Sequence, residues 1–323
     1  MNVKGIHHLT AITGDAEENV KFYTEVLGMR LVKKTVNQDD LTAYHLFYGD
    51  ERGNPGTELT FFDFVGAGPK REGVSGISGT SLRVADDAAL DYWRERFDEF
   101  GVKHEPIDEF AGRNVIFFED PEGQRLALVS DEHNQGVAGG TPWNKSPVPV
   151  EYGILGLGPV KLTVRYTEPT LQVLQLMGFR EKSRVPAIAE GQDDIIIMEA
   201  GEGGSGAEVH VEPNDFLPVE QQGVGGVHHV AFRVADDDEL AKWADVLNRT
   251  GLANSGLVER FYFKSLYFRE PNGILFEFAT DGPGFATDEP FETLGEMLSL
   301  PPYLEDQRAS IEANIKPIDT RRI

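Results

Sequence analysis

Cysteine is absent from the 323-residue sequence, which excludes disulfides and thiolate metal sites. That absence fits a reducing compartment, and a cytoplasmic protein is the expectation. Basic residues are scarce beside acidic ones: 30 Lys and Arg face 54 Asp and Glu, a formal charge of −24. Such a balance opposes polyanions, so neither nucleic acid nor a membrane surface is an expected partner. A neutral or weakly acidic small ligand is easier to accept. No apolar run reaches transmembrane length, and Met1-Asn2-Val3-Lys4-Gly5 does not read as a signal peptide. What is present is 40% hydrophobic and 10% aromatic, enough to bury real cores in two domains or in several small repeated units.

One pattern recurs four times: a strand, a helix with acidic early turns that stops at glycine, then extended segments, the last entered through a Gly-containing turn. In the first copy the strand spans 5–13 and a helix spans 16–27, capped by Asp15 and ended by Gly28. Ala16, Val20, Tyr23 and Leu27 share one face of that helix, with the tyrosine hydroxyl expected at its edge. The second copy has a strand at 79–84, a helix at 88–100 and Asp120-Pro121-Glu122-Gly123 before its final strand. The third, most degraded, has a strand at 160–166 and a short helix near 170–177. The fourth is clearest: a strand at 228–234, Asp236-Asp237-Asp238 opening a helix, and Glu270-Pro271-Asn272-Gly273 before a strand at 274–279.

These βαβββ modules predict an α+β fold, with four modules paired into two cup-shaped half-barrels and helices outside. Two modules occupy 1–135 (about 3–65 and 76–132), a Gly- and Pro-rich linker 136–152, and two more modules 153–281 (about 154–213 and 224–281). The tail 282–323, helical at 307–315, carries no expected chemistry.

Side chains alternate across a strand. With Leu9, Ala11, Val230, Phe232, Val234, Phe276 and Phe278 under helices, His8, Thr10, His229 and Glu277 face a cup. A carboxylate there is costly unless paired or bound to a cation. Two imidazoles and one carboxylate form the facial triad typical of non-haem Fe(II). The matching slots elsewhere hold Thr60, Gly79, Ala127, Pro159 and His210, so only the first and fourth modules together supply three ligands. They are therefore expected to share one metal site, and the other cup to hold none. His210, on a polar face with Glu208 and Glu212, is expected to be structural or to face solvent.

The modules, His7-His8, His228-His229 and Pro271-Asn272-Gly273-Ile274-Leu275-Phe276-Glu277 together resemble the vicinal oxygen chelate superfamily of glyoxalases, bleomycin-resistance proteins and extradiol dioxygenases. Within it the chain most resembles ring-cleaving dioxygenases of the hydroquinone type. That resemblance implies Fe(II), or less often Mn(II), on His8, His229 and Glu277. It implies Tyr267, His228 and Arg260 as catalytic neighbours, and His7 and Thr10 as substrate-binding residues. For His7 and His228, strict alternation requires a bend at the strand mouth to bring them near the metal. Phe61, Phe261 and Phe263 are expected to sandwich a flat ring as further substrate-binding residues. The implied partners are a small aromatic (a hydroquinone or catechol-like phenol) and O2. A homo-oligomer is compatible with the sequence. Two alternatives on the same fold remain open at this point: a metal-dependent isomerase like glyoxalase, for which the extra ligand slot is Thr60, and a non-catalytic aromatic- or drug-binding protein.

Overall fold

Aspartates set the helix starts. In a computed structural model describing residues 1–187 and 191–321, Asp15 accepts from the amides of Glu17 and Glu18, Asp86 from Ala89 and Asp236 from Glu239. Helices Asp87–Phe100 and Asp237–Thr250 end at Gly101 and Gly251, whose φ of 66° and 75° are left-handed. The first helix departs from expectation. It is α-helical only over Ala16–Lys21 and continues as a π-helical turn, Phe22–Val26, in which the Leu27 amide reaches back to the Phe22 carbonyl. The wider turn buries Tyr23 completely, and its hydroxyl donates to Asp120 Oδ2 at 3.0 Å instead of sitting at an edge.

Among the described residues, sixteen strands form two eight-stranded curled sheets, each a half-barrel. The first sheet runs Asn254–Glu259, Lys264–Arg269, Leu275–Thr280, Val227–Val234, Ile6–Thr13, Glu58–Asp63, Asp40–Gly49, Arg30–Asn37. The second runs Arg180–Val185, Ile195–Glu199, Glu208–Pro213, Gly156–Val164, Gly76–Val84, Arg125–Ser130, Arg113–Glu119, Asp108–Phe110. No helix among the described residues is long and apolar enough to cross a membrane.

Helices cover one face of each sheet. Trp243 stacks on Phe278 with ring centroids 4.7 Å apart, and Leu9, Ala11, Val230, Phe232, Val234 and Phe276 join the same continuous core. The opposite faces carry separate apolar clusters: Val115, Ala127 and Val129 in the second cup, and Phe47, Ala231, Tyr262, Phe263, Ala279, Phe285 and Leu294 in the first.

Phe285 and Leu294 belong to the tail, which therefore helps build the first cup instead of wrapping loosely. The buried Lys33 amine anchors it, 2.7 Å from Asp288 Oδ1 and also paired with Glu289, and Tyr262 donates to Asp288 Oδ2 at 2.9 Å. The tail carries one helix, Arg308–Asn314, and beyond it buries Ile315 and Ile318.

Candidate metal centre

Strand register brings the chain's distant ends together. Ile6–Thr13 runs antiparallel to Val227–Val234, with His8 opposite Ala231 and Thr10 opposite His229. Val227–Val234 runs parallel to Leu275–Thr280, with Ala231 level with Glu277. His8, Ala231 and Glu277 thus form one row on the cup face, and His229 belongs to the next. The short side chain of Ala231 separates His8 from Glu277. His8 Nε2 lies 3.2 Å and His229 Nε2 3.0 Å from Glu277 Oε2, and the two nitrogens are 3.4 Å apart.

All three residues are buried, yet neither oxygen of Glu277 takes part in a hydrogen bond. The close approaches to both imidazoles lack hydrogen-bond geometry, so the buried carboxylate is faced by two rings and bonded to neither. Burial pushes the Glu277 carboxyl up, but the imidazoles of His8 and His229 outweigh it and hold the group well below the usual carboxylate range. Burial pushes the His229 imidazole down, towards its neutral form. An ionised carboxylate beside neutral imidazoles is the state a cation requires. Donors bonded at about 2.1 Å to a small divalent ion stand about 3.0–3.4 Å apart for angles between a right angle and tetrahedral. The observed separations match that range, and the three residues fit a metal.

The first histidine of each pair orients the second. His7 Nε2 lies 3.0 Å from the Thr280 carbonyl, which can only accept, so that nitrogen carries a proton. Burial lowers the His7 pKa to about 3, so the ring is neutral and its Nδ1 is a lone pair. His8 Nδ1, 3.0 Å away, must then be the donor, so Nε2, the atom facing Glu277, is the His8 nitrogen available to a cation. His228 Nδ1 and His229 Nδ1 likewise stand 2.8 Å apart, and burial lowers the His228 pKa to about 3. Register irregularities fall at both pairs, between Ile6 and His8 and between Thr10 and Ala11, opposite His229 and Val227.

A second grouping, His7, His8 and Glu58, shares His8. It is the weaker candidate. The Nδ1 atoms of its two histidines are bonded to each other, and burial pushes the Glu58 carboxyl well above its usual range, so it is neutral.

The other expected residues divide. A cavity of about 30 Å³ opens beside the triad, lined by Tyr267, Arg260 and Phe263 among others. Arg260 Nε donates to the Tyr267 hydroxyl at 3.1 Å, and its two terminal nitrogens pair with Asp39 at 2.7 and 3.2 Å. Thr10 is within 3.1 Å of His229 Nε2 through its hydroxyl. His7 and Phe261 do not line the cavity: His7 stands behind His8, and Phe261, at a φ of 71°, packs on Tyr262. Phe61 is in the helix-side core against Tyr23 and Tyr48, because its neighbour Thr60 takes the cup face; Phe62 lines the cavity instead. His45, unremarked in the sequence, also lines it. Applying the alternation test to Asp40–Gly49, where His45 and Phe47 share a face, would have found it.

In the second cup, Gly79, Ala127, Pro159 and His210 line one cavity of about 100 Å³. His210 is buried, not solvent-facing, with Nε2 3.3 Å from Glu208, a carboxylate that also takes two 2.8 Å bonds from Arg113. Among the described residues, no metal-type grouping of three lies in this cup.

Comparison with known proteins agrees with this geometry. The model of the family described as "Glyoxalase/Bleomycin resistance protein/Dioxygenase superfamily" matches residues 5–128 and 160–278. The chain is 56% identical to "Putative ring-cleaving dioxygenase MhqA" of Bacillus subtilis, over 98% of this chain and 100% of that one. It is 32% identical to "Chlorohydroquinone/hydroquinone 1,2-dioxygenase" of Sphingobium indicum, over 94% and 93%. A crystal structure of a "putative dioxygenase" from Bacillus subtilis superposes with a TM-score of 0.88 at 36% identity, covering 100% of this chain and 99% of that one.

Proposed function

The chain belongs to the glyoxalase/bleomycin resistance protein/dioxygenase superfamily, and we propose that within it the protein is a ring-cleaving dioxygenase opening a hydroquinone with Fe(II) held by His8, His229 and Glu277. The ring-cleaving assignment follows its relatives over nearly the whole chain. The observation that carries the metal is the buried Glu277 carboxylate, without a hydrogen bond and faced by two imidazole nitrogens. Two nitrogens and one oxygen suit Fe(II) first and Mn(II) second. Bound there, the ion would supply neighbouring open positions for a phenolic oxygen and O2, with Lewis acidity and electron transfer between them.

The protein's own groups do the rest. Burial and the nearby Glu277 charge push the Tyr267 phenol above its usual range, so it stays protonated. Its oxygen accepts from Arg260, which leaves its O–H to donate to a substrate oxygen as a general acid. Arg260, fixed by Asp39, sets a positive charge where anionic oxygen develops. Phe263, Phe47 and Phe62 provide flat apolar walls. Asp39, exposed, lies at the mouth of the cavity, paired with Arg260. The Thr60 hydroxyl is occupied by Thr10 and His45, which speaks against the fourth ligand an isomerase needs. The high acidic charge and the lack of cysteine suit a small aromatic and O2 in the cytoplasm.

Anaerobic reconstitution with Fe(II), followed by oxygen uptake over a panel of hydroquinones and catechols, tests this reading. Uptake with hydroquinones at one O2 per ring is expected. Stoichiometric iron with no uptake from any ring would overturn it.

A further inference from the structure

His45 has an unusual set of partners for a half-buried imidazole. Its ring is clamped between Phe47 and Phe62, with centroids at 3.9 and 4.5 Å, and lines the cavity beside the triad. Its Nε2 lies 2.9 Å from Thr60 Oγ1, Thr60 donates to Thr10 Oγ1 at 2.8 Å, and Thr10 Oγ1 is 3.1 Å from His229 Nε2.

The direction of this chain follows from Thr60. Its one hydroxyl proton goes to Thr10 Oγ1, so its oxygen accepts from His45. His45 is therefore protonated on Nε2, and Nδ1 is a lone pair with no hydrogen-bond partner among the described residues. Burial, then the neighbouring His8 and His229, hold this imidazole well below its usual range, so it stays neutral. A lone pair left open on a ring clamped between two phenylalanines is a ready-made acceptor. Three hydrogen bonds set it back from the metal donors, the side that the far end of a ring reaches.

We propose that His45 is a specificity-determining residue whose Nδ1 accepts a hydrogen bond from the hydroxyl of the aromatic substrate opposite the one held at the His8–His229–Glu277 centre. This rests on the proposed function and deepens it: the site selects para-dihydroxy rings because the acceptor stands across from the triad. A ring carrying an ether in place of that hydroxyl has nothing to donate, and Nδ1 is left unpaired.

Two measurements test this. Nitrogen NMR of metal-free protein labelled at histidine, with His45 assigned by difference from His45→Phe, is expected to show a protonated Nε2 and an unprotonated Nδ1. A proton on Nδ1 overturns the inference independently of any activity. Calorimetric titration of the Fe(II)-loaded protein without oxygen is expected to show hydroquinone binding about tenfold tighter than 4-methoxyphenol, the usual effect of one hydrogen bond left unmade. His45→Phe, which keeps the ring stacking, is expected to bind both equally, and His45→Gln, which restores an acceptor, to regain part of the preference. A tenfold preference retained in His45→Phe overturns the role of His45 and leaves ring cleavage standing. Wild-type protein that binds neither phenol overturns both.

Discussion

His8 and Glu277 face each other across Ala231 with 3.2 Å between Nε2 and Oε2, and the carboxylate takes no hydrogen bond from any described residue. Glu277→Gln keeps the shape and removes the charge that would attract a cation. It is therefore expected to lower bound iron at least tenfold, measured by metal analysis after anaerobic reconstitution. Stoichiometric iron retained in the variant would contradict this.

Ala231 is fully buried at the centre of the row. Ala231→Leu places a branched side chain where the donors converge. Overpacking costs about 1–3 kcal/mol, which leaves a folded protein. Circular dichroism near that of wild type, with no retained iron, is the expected pair of readings.

Tyr267 receives the Arg260 Nε proton and stays protonated itself. Tyr267→Phe is expected to leave iron content unchanged and to lower kcat for oxygen uptake about 100-fold, the scale of a lost general acid. Steady-state oxygen electrode traces at saturating hydroquinone check it.

Phe285, from the tail, packs on Phe47 at 5.0 Å and Tyr262 at 5.4 Å, and is 3% exposed. Phe285→Ala is expected to destabilise the protein by about 3–5 kcal/mol, since a large core side chain leaves a cavity. Chemical denaturation measures it.

Asp120 accepts from the Tyr23 hydroxyl and from the amides of Glu122 and Gln124, and burial raises its pKa to about 6. Because the folded value exceeds the unfolded one, near 3.8, its stabilising contribution is full below pH 3.8 and is lost as pH rises through 6. Asp120→Asn has no such titration. The difference in melting temperature between wild type and variant should thus shift in the variant's favour from pH 4 to pH 7.

The period of two along three strands is enough to put His8, His229 and Glu277 on one face and Leu9, Phe232 and Phe276 on the other, and the structure has them there. Repetition of the module was equally legible, because helix caps such as Asp86 and stops such as Gly101 are local chemistry. Long-range features were not. The π-turn at Phe22–Val26 answers to the burial of Tyr23 on Asp120, almost a hundred residues away in sequence. The tail looked inert because Phe285 and Leu294 have no periodicity, only a place to fill. His45 escaped because its significance lies in Thr60 and Thr10, its neighbours across two strand pairings, and not in its own segment.

The Ile6–Thr13 strand lies hydrogen-bonded to Val227–Val234 in the finished sheet, with the last ligand on Leu275–Thr280. During synthesis the first strand is made long before either partner exists. The opening segment must wait, its edge and His8 unmatched, until nearly all of the four modules have left the ribosome. Loop closure over that length is slow but, by its logarithmic dependence, only modestly unfavourable. No truncated chain lacking residue 277 can complete the centre. For the proposed centre, metal loading is thereby a late event in the life of the polypeptide, and a nascent chain stalled before its final strand holds only part of the donor set.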